Sequence, residues 1–262
     1  MLLLSNTDDP RLLAFLSQKV RLTSLLIDLS TGHAPKKKQR PVYNDKISDP
    51  HGEVPVVLLR MGHFHPERDD IDWYEINKDL IKTTDTNEAD RVESRLIIQP
   101  GDLLMSLRGQ PRVIHARETS LNSMPEELRQ LGLKLAPSNN FILLRPHTQL
   151  VYVPFLQMIF QMILEDLMED WELRKSKVAG VGPMAGFIED KLKDQEIAVN
   201  SNVPFGARDL KDMVIGFPET IDKQQELHEE YLQLKKEELD ITIRLQSFKK
   251  NIAHYSNPII KP

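Results

Sequence analysis

The chain reads as an α/β (α+β) protein: one globular domain followed by one long C-terminal coiled-coil helix. Three observations carry this. Short apolar runs such as Val54–Arg60, Leu103–Leu107 and Phe141–Leu144 are bounded by proline, glycine and asparagine, the punctuation of strands and turns. Helical patterns stand between them, the most apolar from Val151 to Leu167. From Glu219 to Ile252 there is neither glycine nor proline, and Glu, Lys, Gln and Leu dominate. Domain bounds follow at 1–217 for the globular part, 218–254 for the helix and 255–262 for a tail.

Along the chain, Asp9-Pro10 is a helix start, with Leu12, Leu13, Leu16 and Val20 able to share a face. Leu22–Leu29 suits helix or strand. Thr31–Tyr43 is a loop rich in basic residues, and Val54–Arg60 is a strand. Met61–Thr86 is polar and irregular, anchored by Trp73 and Tyr74. Arg95–Ile98, Leu103–Leu107 and Arg112–Ala116 are further strands. Between the first two, Pro100-Gly101-Asp102 has the chemistry of a type II turn, with proline presetting φ and glycine taking the positive φ. Ser123-Met124-Pro125-Glu126 is a capping box opening a short helix to Leu131. Phe141–Leu144 is a strand, Pro154 opens a helix through Met168, Gly180–Gly186 is a tight or flexible turn, and Met213–Phe217 is a last strand.

In the C-terminal segment, Leu227, Tyr231, Leu234, Glu238, Ile241, Leu245, Phe248 and Ile252 recur at alternating spacings of four and three, the seam of a coiled coil broken once by Glu238. Leu232 and Leu239 are read as widening that stripe on one side. A helix of roughly 34 residues is about 50 Å long. That outruns one edge of a domain this size, so part of the seam is expected to meet a second copy, another subunit, or both.

Composition narrows the chemistry. The 262 residues are 40% hydrophobic and 28% charged, with a formal net charge of −5, which argues against indiscriminate coating of DNA and leaves local basic patches to be judged singly. No cysteine is present, which removes disulfides, thiolate zinc sites and cysteine nucleophiles and fits a cytoplasmic compartment. No run approaches the roughly 20 apolar residues of a membrane span. His63 and His65, with Glu67, Asp69 and Asp70 nearby, raise a metal site or a metal-dependent nuclease, against the simpler reading of a solvated polar loop. Gly180-Val181-Gly182-Pro183 completes no nucleotide-binding motif, and no hydrolase, zinc-protease or paired-carboxylate motif occurs. The chain is therefore expected to be no enzyme and to hold no metal or cofactor.

Basic residues gather in few places: Lys36, Lys37, Lys38 and Arg40; Arg108 and Arg112 around Gly109-Gln110-Pro111, with Arg117 and Lys134 beyond; and Arg174, Lys175 and Lys177. Clusters on loops between strands suit a confined phosphate-binding surface. Arg108, Gln110 and Arg112 include the side-chain types that pair with guanine or adenine edges. These residues alone leave open DNA binding and a protein-interaction role. Arg108 itself can read a base, hold a phosphate or brace the turn.

An ordered set of motifs runs Val20-Arg21-Leu22, Thr31-Gly32-x-x-Pro35, Gly52-Glu53-Val54-Pro55, Pro100-Gly101-Asp102 through Arg108-Gly109, Ser138-Asn139-Asn140-Phe141-Ile142, Arg145-Pro146, Arg208-Asp209-Leu210-Lys211-Asp212, Phe217-Pro218, and Gln224-Gln225 before the long helix. This order, from about Val20 to Ile252, resembles a target recognition domain of the specificity subunits of type I restriction–modification enzymes. The resemblance implies an α/β DNA-reading domain over 1–217 and a spacer helix after it, in a subunit that does no chemistry. It implies sequence-specific recognition of double-stranded DNA, a DNA adenine methyltransferase subunit that carries S-adenosylmethionine as partner, and a translocase–nuclease subunit as a further candidate partner. A full-length specificity subunit has two such domains and two helices, whereas this chain has one of each and is similar to a half-subunit that pairs with its own copy. Lys36, Lys37, Lys38 and Arg40 are the expected phosphate contacts, and Arg108, Gln110, Arg112, Ser138 and Asn139 the expected DNA face. Leu227, Tyr231, Leu234, Ile241, Leu245, Phe248 and Ile252 are the expected subunit interface. The alternative is an adaptor of a defence complex that keeps this fold without reading bases.

Overall fold

Leu103-Leu104-Met105 and Phe141-Ile142-Leu143-Leu144 are apolar at every position, a pattern a strand tolerates only when both faces of its sheet are covered. They are the two central strands of the fold. The computed structural model describes residues 19–34, 47–48, 51, 55–65, 68, 70–81, 90–106, 112–165 and 207–255, with backbone alone at 47–48, 78–81, 90, 209 and 248–255. In chain order the strands are β1 (Lys19–Arg21), β2 (Leu26–Thr31), β3 (Ile47–Ser48), β4 (Val56–Leu59), β5 (Asp90–Arg91), β6 (Leu103–Ser106), β7 (Val113–His115), β8 (Lys134–Pro137), β9 (Phe141–Pro146) and β10 (Val214–Gly216). The helices are α1 (Trp73–Ile81), α2 (Glu118–Asn122), α3 (Glu126–Gln130), α4 (residues 153–165), α5 (Ala207–Lys211) and α6 (Ile221–Tyr255). Helices and sheets are thus mixed. No helix among the described residues is long and apolar enough to cross a membrane.

The main sheet runs β2-β9-β6-β7, antiparallel throughout. Its side chains alternate between two cores, as the two-residue period of a strand requires. Leu104, Ile114, Phe141 and Leu143 enter a core closed by the parallel β4–β8 pair, by Trp73 and Ile76 of α1 and by Leu128 of α3. Leu103, Met105, Val113, Ile142 and Leu144 enter the other, closed by Leu156, Phe160 and Leu164 of α4, Leu210 of α5 and Leu227 of α6. The free edge of β7 is fastened by two glutamines one helical turn apart on α4. Gln161 Oε1 accepts the Val113 N–H at 2.9 Å, and Gln157 Nε2 donates to the Val113 carbonyl at 2.9 Å.

The corner before β6 is the turn the sequence predicts. Gly101 has φ +89°, and the Asp102 N–H donates to the Gln99 carbonyl at 3.1 Å. The Asp102 carboxylate then turns inward, 1% exposed, and accepts from Arg145 Nε and Nη2, both at 2.8 Å, and from the Gln99 N–H at 2.8 Å. Arg145 Nη2 also donates to the Ile97 carbonyl at 2.8 Å. The hydrogen bond to Asp102 raises the Arg145 pKa against the opposing effect of burial. Gly101 donates to the Ala116 carbonyl and Ala116 to the Asp102 carbonyl, which pins the corner to the end of β7.

The long helix starts on this frame. Gln224, fully buried, accepts the Tyr152 N–H at 2.6 Å and donates to the carbonyls of Leu150 and Pro218, both at 3.0 Å. Leu227 is buried in the second core, and the His228 ring meets Tyr152 edge-on at 5.6 Å. Burial lowers the His228 pKa and raises that of Tyr231.

Several expectations are revised. Leu22–Leu29 is a 3-10 turn over Leu22–Leu25 followed by β2. Trp73–Ile81 is helical; Trp73 is buried, but Tyr74 is 68% exposed and anchors nothing in the core. Arg95–Ile98 is no strand: Ser94–Leu96 makes a 3-10 turn, with Leu96 and Ile98 buried. The capping box does not form, because Ser123 Oγ donates to the Ser120 carbonyl and accepts from Trp73 Nε1, leaving α3 to start on Pro125 without a side-chain cap. His63 sits in no solvated loop: it is buried, and its Nδ1 accepts the Arg60 N–H at 3.3 Å. The Asp9-Pro10 helix start, Glu67, Asp69, Gly180–Gly186, the cluster Arg174, Lys175 and Lys177, and the tail beyond Tyr255 lie outside the described residues.

Replacing Asp102 by alanine leaves the largely buried Arg145 without its carboxylate, with only the Ile97 carbonyl to accept from it, and is expected to cost about 3–5 kcal/mol in chemical denaturation. The exposed pair Arg129–Glu126 is the control, with Glu126→Ala changing stability by less than about 0.5 kcal/mol. His228 has a depressed folded pKa, so its contribution is complete above the unfolded value near 6.5 and is lost as pH falls through the folded value. Thermal melts between pH 7.5 and 5 should show this decline in the native chain and a shallower one in His228→Gln.

Candidate nucleic-acid interface

The strand register decides which loops become neighbours. Thr31 pairs with Ile142, Ser106 with Phe141, and Met105 with Val113. The end of β2, the end of β6, and the starts of β7 and β9 therefore share one end of the main sheet, opposite the Asp102–Arg145 pair. From this end the chain leaves Ala34 into the segment carrying Lys36, Lys37, Lys38 and Arg40, and leaves Ser106 into the one carrying Arg108 and Gln110. Those six residues lie outside the described residues, while the backbone on either side of Arg108 and Gln110 is described.

The third segment, Ser138-Asn139-Asn140, turns from β8 into β9 at the same end. Ser138 bridges His33 and donates its N–H to the Leu59 carbonyl at 3.2 Å, while Phe141 donates to the Ser138 carbonyl at 3.0 Å. Gly32 crosses this turn at close range. It donates to the Phe141 carbonyl at 2.9 Å, and an added Cβ would stand 2.1 Å from the Ser138 carbonyl oxygen and 2.6 Å from that of Pro137. Backbone blocks it on that side, so glycine is the residue that fits. Ser138 is 8% exposed and its hydroxyl has no hydrogen-bond partner among the described residues, whereas Asn139 is exposed. Of the two, only Asn139 offers its side chain to a ligand at the surface.

Arg112 is also used inward. Its Nη1 donates to the His65 carbonyl at 2.6 Å and its Nη2 to the Arg68 carbonyl. Among the described residues, no three His, Asp or Glu side chains stand together as metal ligands. Sequence reasoning missed Gln157 and Gln161 as edge-strand holders, and Asp102 with Arg145 as a buried pair. The signal available for the first was two amides at i and i+4 on an apolar helix.

The helix α6 has 35 residues, about 52 Å at 1.5 Å per residue. Among its described residues Leu227 is the last buried one and Tyr231 is half-buried, while every residue from Leu232 to Ser247 is exposed. Leu234, Ile241 and Leu245, expected at the subunit interface, are each at least 50% exposed. Leu232 and Leu239 do not widen that seam. They stand two residues before Leu234 and Ile241, about 160° round the axis, and Ile243 joins them. The projecting helix thus bears two apolar stripes on nearly opposite faces. The backbone carrying Phe248 and Ile252 is helical, and their side chains lie outside the described set.

No family model and no curated protein matches the chain. A solved structure concerned with complex assembly and conformational transition of the type I R-M system is similar, at 14% sequence identity and a TM-score of 0.40. The match covers 89% of this chain and 42% of that one, so the chain spans less than half the length of the protein it matches.

Proposed function

We propose that this chain recognises a specific double-stranded DNA sequence, without catalysing a reaction itself, as the specificity subunit of a type I restriction–modification methyltransferase or a related defence complex. The observation that carries the reading is the register of the main sheet, which brings the backbone roots of the segments holding Lys36–Arg40, Arg108–Gln110 and Ser138–Asn139 to one end. The order of motifs along the chain supports it independently. In this reading Lys36, Lys37, Lys38 and Arg40 neutralise phosphates, and Arg108, Gln110 and Asn139 face the bases. The partners are a DNA adenine methyltransferase that supplies S-adenosylmethionine and, in a restriction complex, a translocase–nuclease.

The helix pairs with a second copy, and its charges favour an antiparallel pair. In a parallel pair Glu238 would face its own copy in one core layer. In an antiparallel pair Leu234 faces Leu245, Glu238 faces Ile241, and Glu237 flanks Arg244 of the second copy. Two recognition domains then stand at opposite ends, which reads a bipartite, palindromic target. The stripe of Leu232, Leu239 and Ile243 is left for the methyltransferase. These two stripes equally suit an adaptor that only binds proteins, and DNA binding separates the two readings.

The chain, alone or with its methyltransferase, should bind duplex DNA with an affinity that falls steeply with salt. Replacing Lys36, Lys37, Lys38 and Arg40 by alanine should reduce the slope of log K against log salt by about 3–4. No binding to any duplex at low salt would leave the adaptor reading. For the helix, Glu237→Arg should dissociate the dimer in light scattering and adding Arg244→Glu should restore it; an assembly state that ignores both changes excludes this register.

A further inference from the structure

We propose that Arg112 is a positioning residue that locks the root of the base-reading segment, and that it contacts neither base nor phosphate. The inference rests on the DNA-reading role given above. Its two terminal guanidinium nitrogens diverge to the carbonyls of His65 and Arg68. That segment is itself closed: His65 donates to the Asp70 carbonyl at 3.0 Å, Asp72 to the His63 carbonyl at 2.9 Å, and Ile71 to Ser120 Oγ at 2.9 Å. On the other side, the Arg112 carbonyl accepts the Ser106 N–H at 2.8 Å, and Val113 is held at both its N–H and its carbonyl by Gln161 and Gln157.

The consequence is geometric. Ser106 and Arg112 are the two described residues that flank Arg108 and Gln110. One cation joins this root to a segment more than forty residues away in sequence. A planar fork is needed, because a lysine ammonium is a single point and cannot hold two diverging carbonyls in fixed directions. The same fork edge is what a guanine would require. Arg112 therefore acts on recognition through the geometry of its neighbours, and base reading falls to Arg108 and Gln110.

The test uses the full chain with Arg112→Lys and Arg112→Ala, in two arms. Without DNA, amide exchange at His65, Asp72 and Val113 should quicken at least tenfold in Arg112→Ala and less in Arg112→Lys. With DNA, the wild-type chain first enriches duplexes from a pool with a randomised centre. The preference for enriched over unselected duplex should fall about tenfold in Arg112→Ala and partly recover in Arg112→Lys, with the salt slope unchanged. A slope lowered by about one with unchanged exchange would mean a phosphate contact. Loss of preference at a single base pair with unchanged exchange would mean a base reader. Lower thermal stability with discrimination intact would mean a structural brace, and each of these three results overturns the proposal. If Arg112→Ala fails to fold, Arg112→Lys carries both arms. Failure of the wild-type chain to enrich any sequence defeats the recognition role, while the exchange arm still decides whether Arg112 clamps the segment.

Discussion

The ion pair between Asp102 and Arg145 is the constraint from which the rest of the architecture follows. It joins the entrance of β6 to the exit of β9, the two central strands of the main sheet, with the Asp102 carboxylate buried and Arg145 largely so. Each of those strands is apolar on both faces, so hydrophobicity alone does not choose between registers. A slip by one residue would exchange the sets that face the two cores. Phe141 and Leu143 would then leave the core lined by Trp73 and Ile76 for the one lined by Phe155 and Phe160. A bidentate pair with a third bond to Gln99 has one geometry, and that geometry selects the register. Burying two charges is a poor source of net stability. Its use here is to make one apolar arrangement distinct from its neighbours.

A second theme is the use of glutamine where strands and helices end. Gln157 and Gln161 take up both outward backbone groups of Val113 on an edge strand that would otherwise offer them to another chain. Gln224 satisfies three backbone groups where the long helix leaves the domain. An amide side chain both donates and accepts, so one residue closes a gap that an apolar residue would leave unsatisfied. These contacts lie on the side of the sheet that faces α4 and α6, and they hold the edge of the sheet and the base of the helix to the same core.

Much of the fold was legible because it rests on local chemistry. Val54–Arg60, Leu103–Leu107 and Phe141–Leu144 announced strands by composition, Pro100-Gly101 announced its turn, and the absence of glycine and proline after Glu219 announced the helix. What escaped depended on partners distant in sequence. Trp73–Ile81 mixes Glu75, Asn77, Lys78 and Asp79 with apolar residues, of which Trp73 and Ile76 meet the core, and its helical nature showed only weakly. Ser123 looked like a cap, but Trp73 and Ser120 claim its hydroxyl. Leu96 and Ile98 alternate like a strand, yet Leu96 ends a 3-10 turn and Ile98 follows it. In the candidate interface, the residue types were visible and their roles were not. Arg112 has the chemistry of a base reader and bonds to carbonyls, and Ser138 lies under the Gly32 crossing. The second stripe on α6 was visible in spacing, since residues two apart on a helix cannot share a face.

The docked base of α6 makes the helix a lever. From Leu232 it extends roughly 36 Å, and every residue between Leu232 and Ser247 is exposed. A tilt of about 5° at Gln224 and Leu227 moves the far end by about 3 Å, close to the rise of one base pair at about 3.4 Å. Small repacking around Pro218, Leu150 and Tyr152 is thereby magnified into a displacement which, in the proposed DNA-reading dimer, matches a whole step of DNA. On the proposed function, substitutions in that small contact would retune the distance between the two recognition surfaces of the dimer, with no change in either surface and none in the length of the helix.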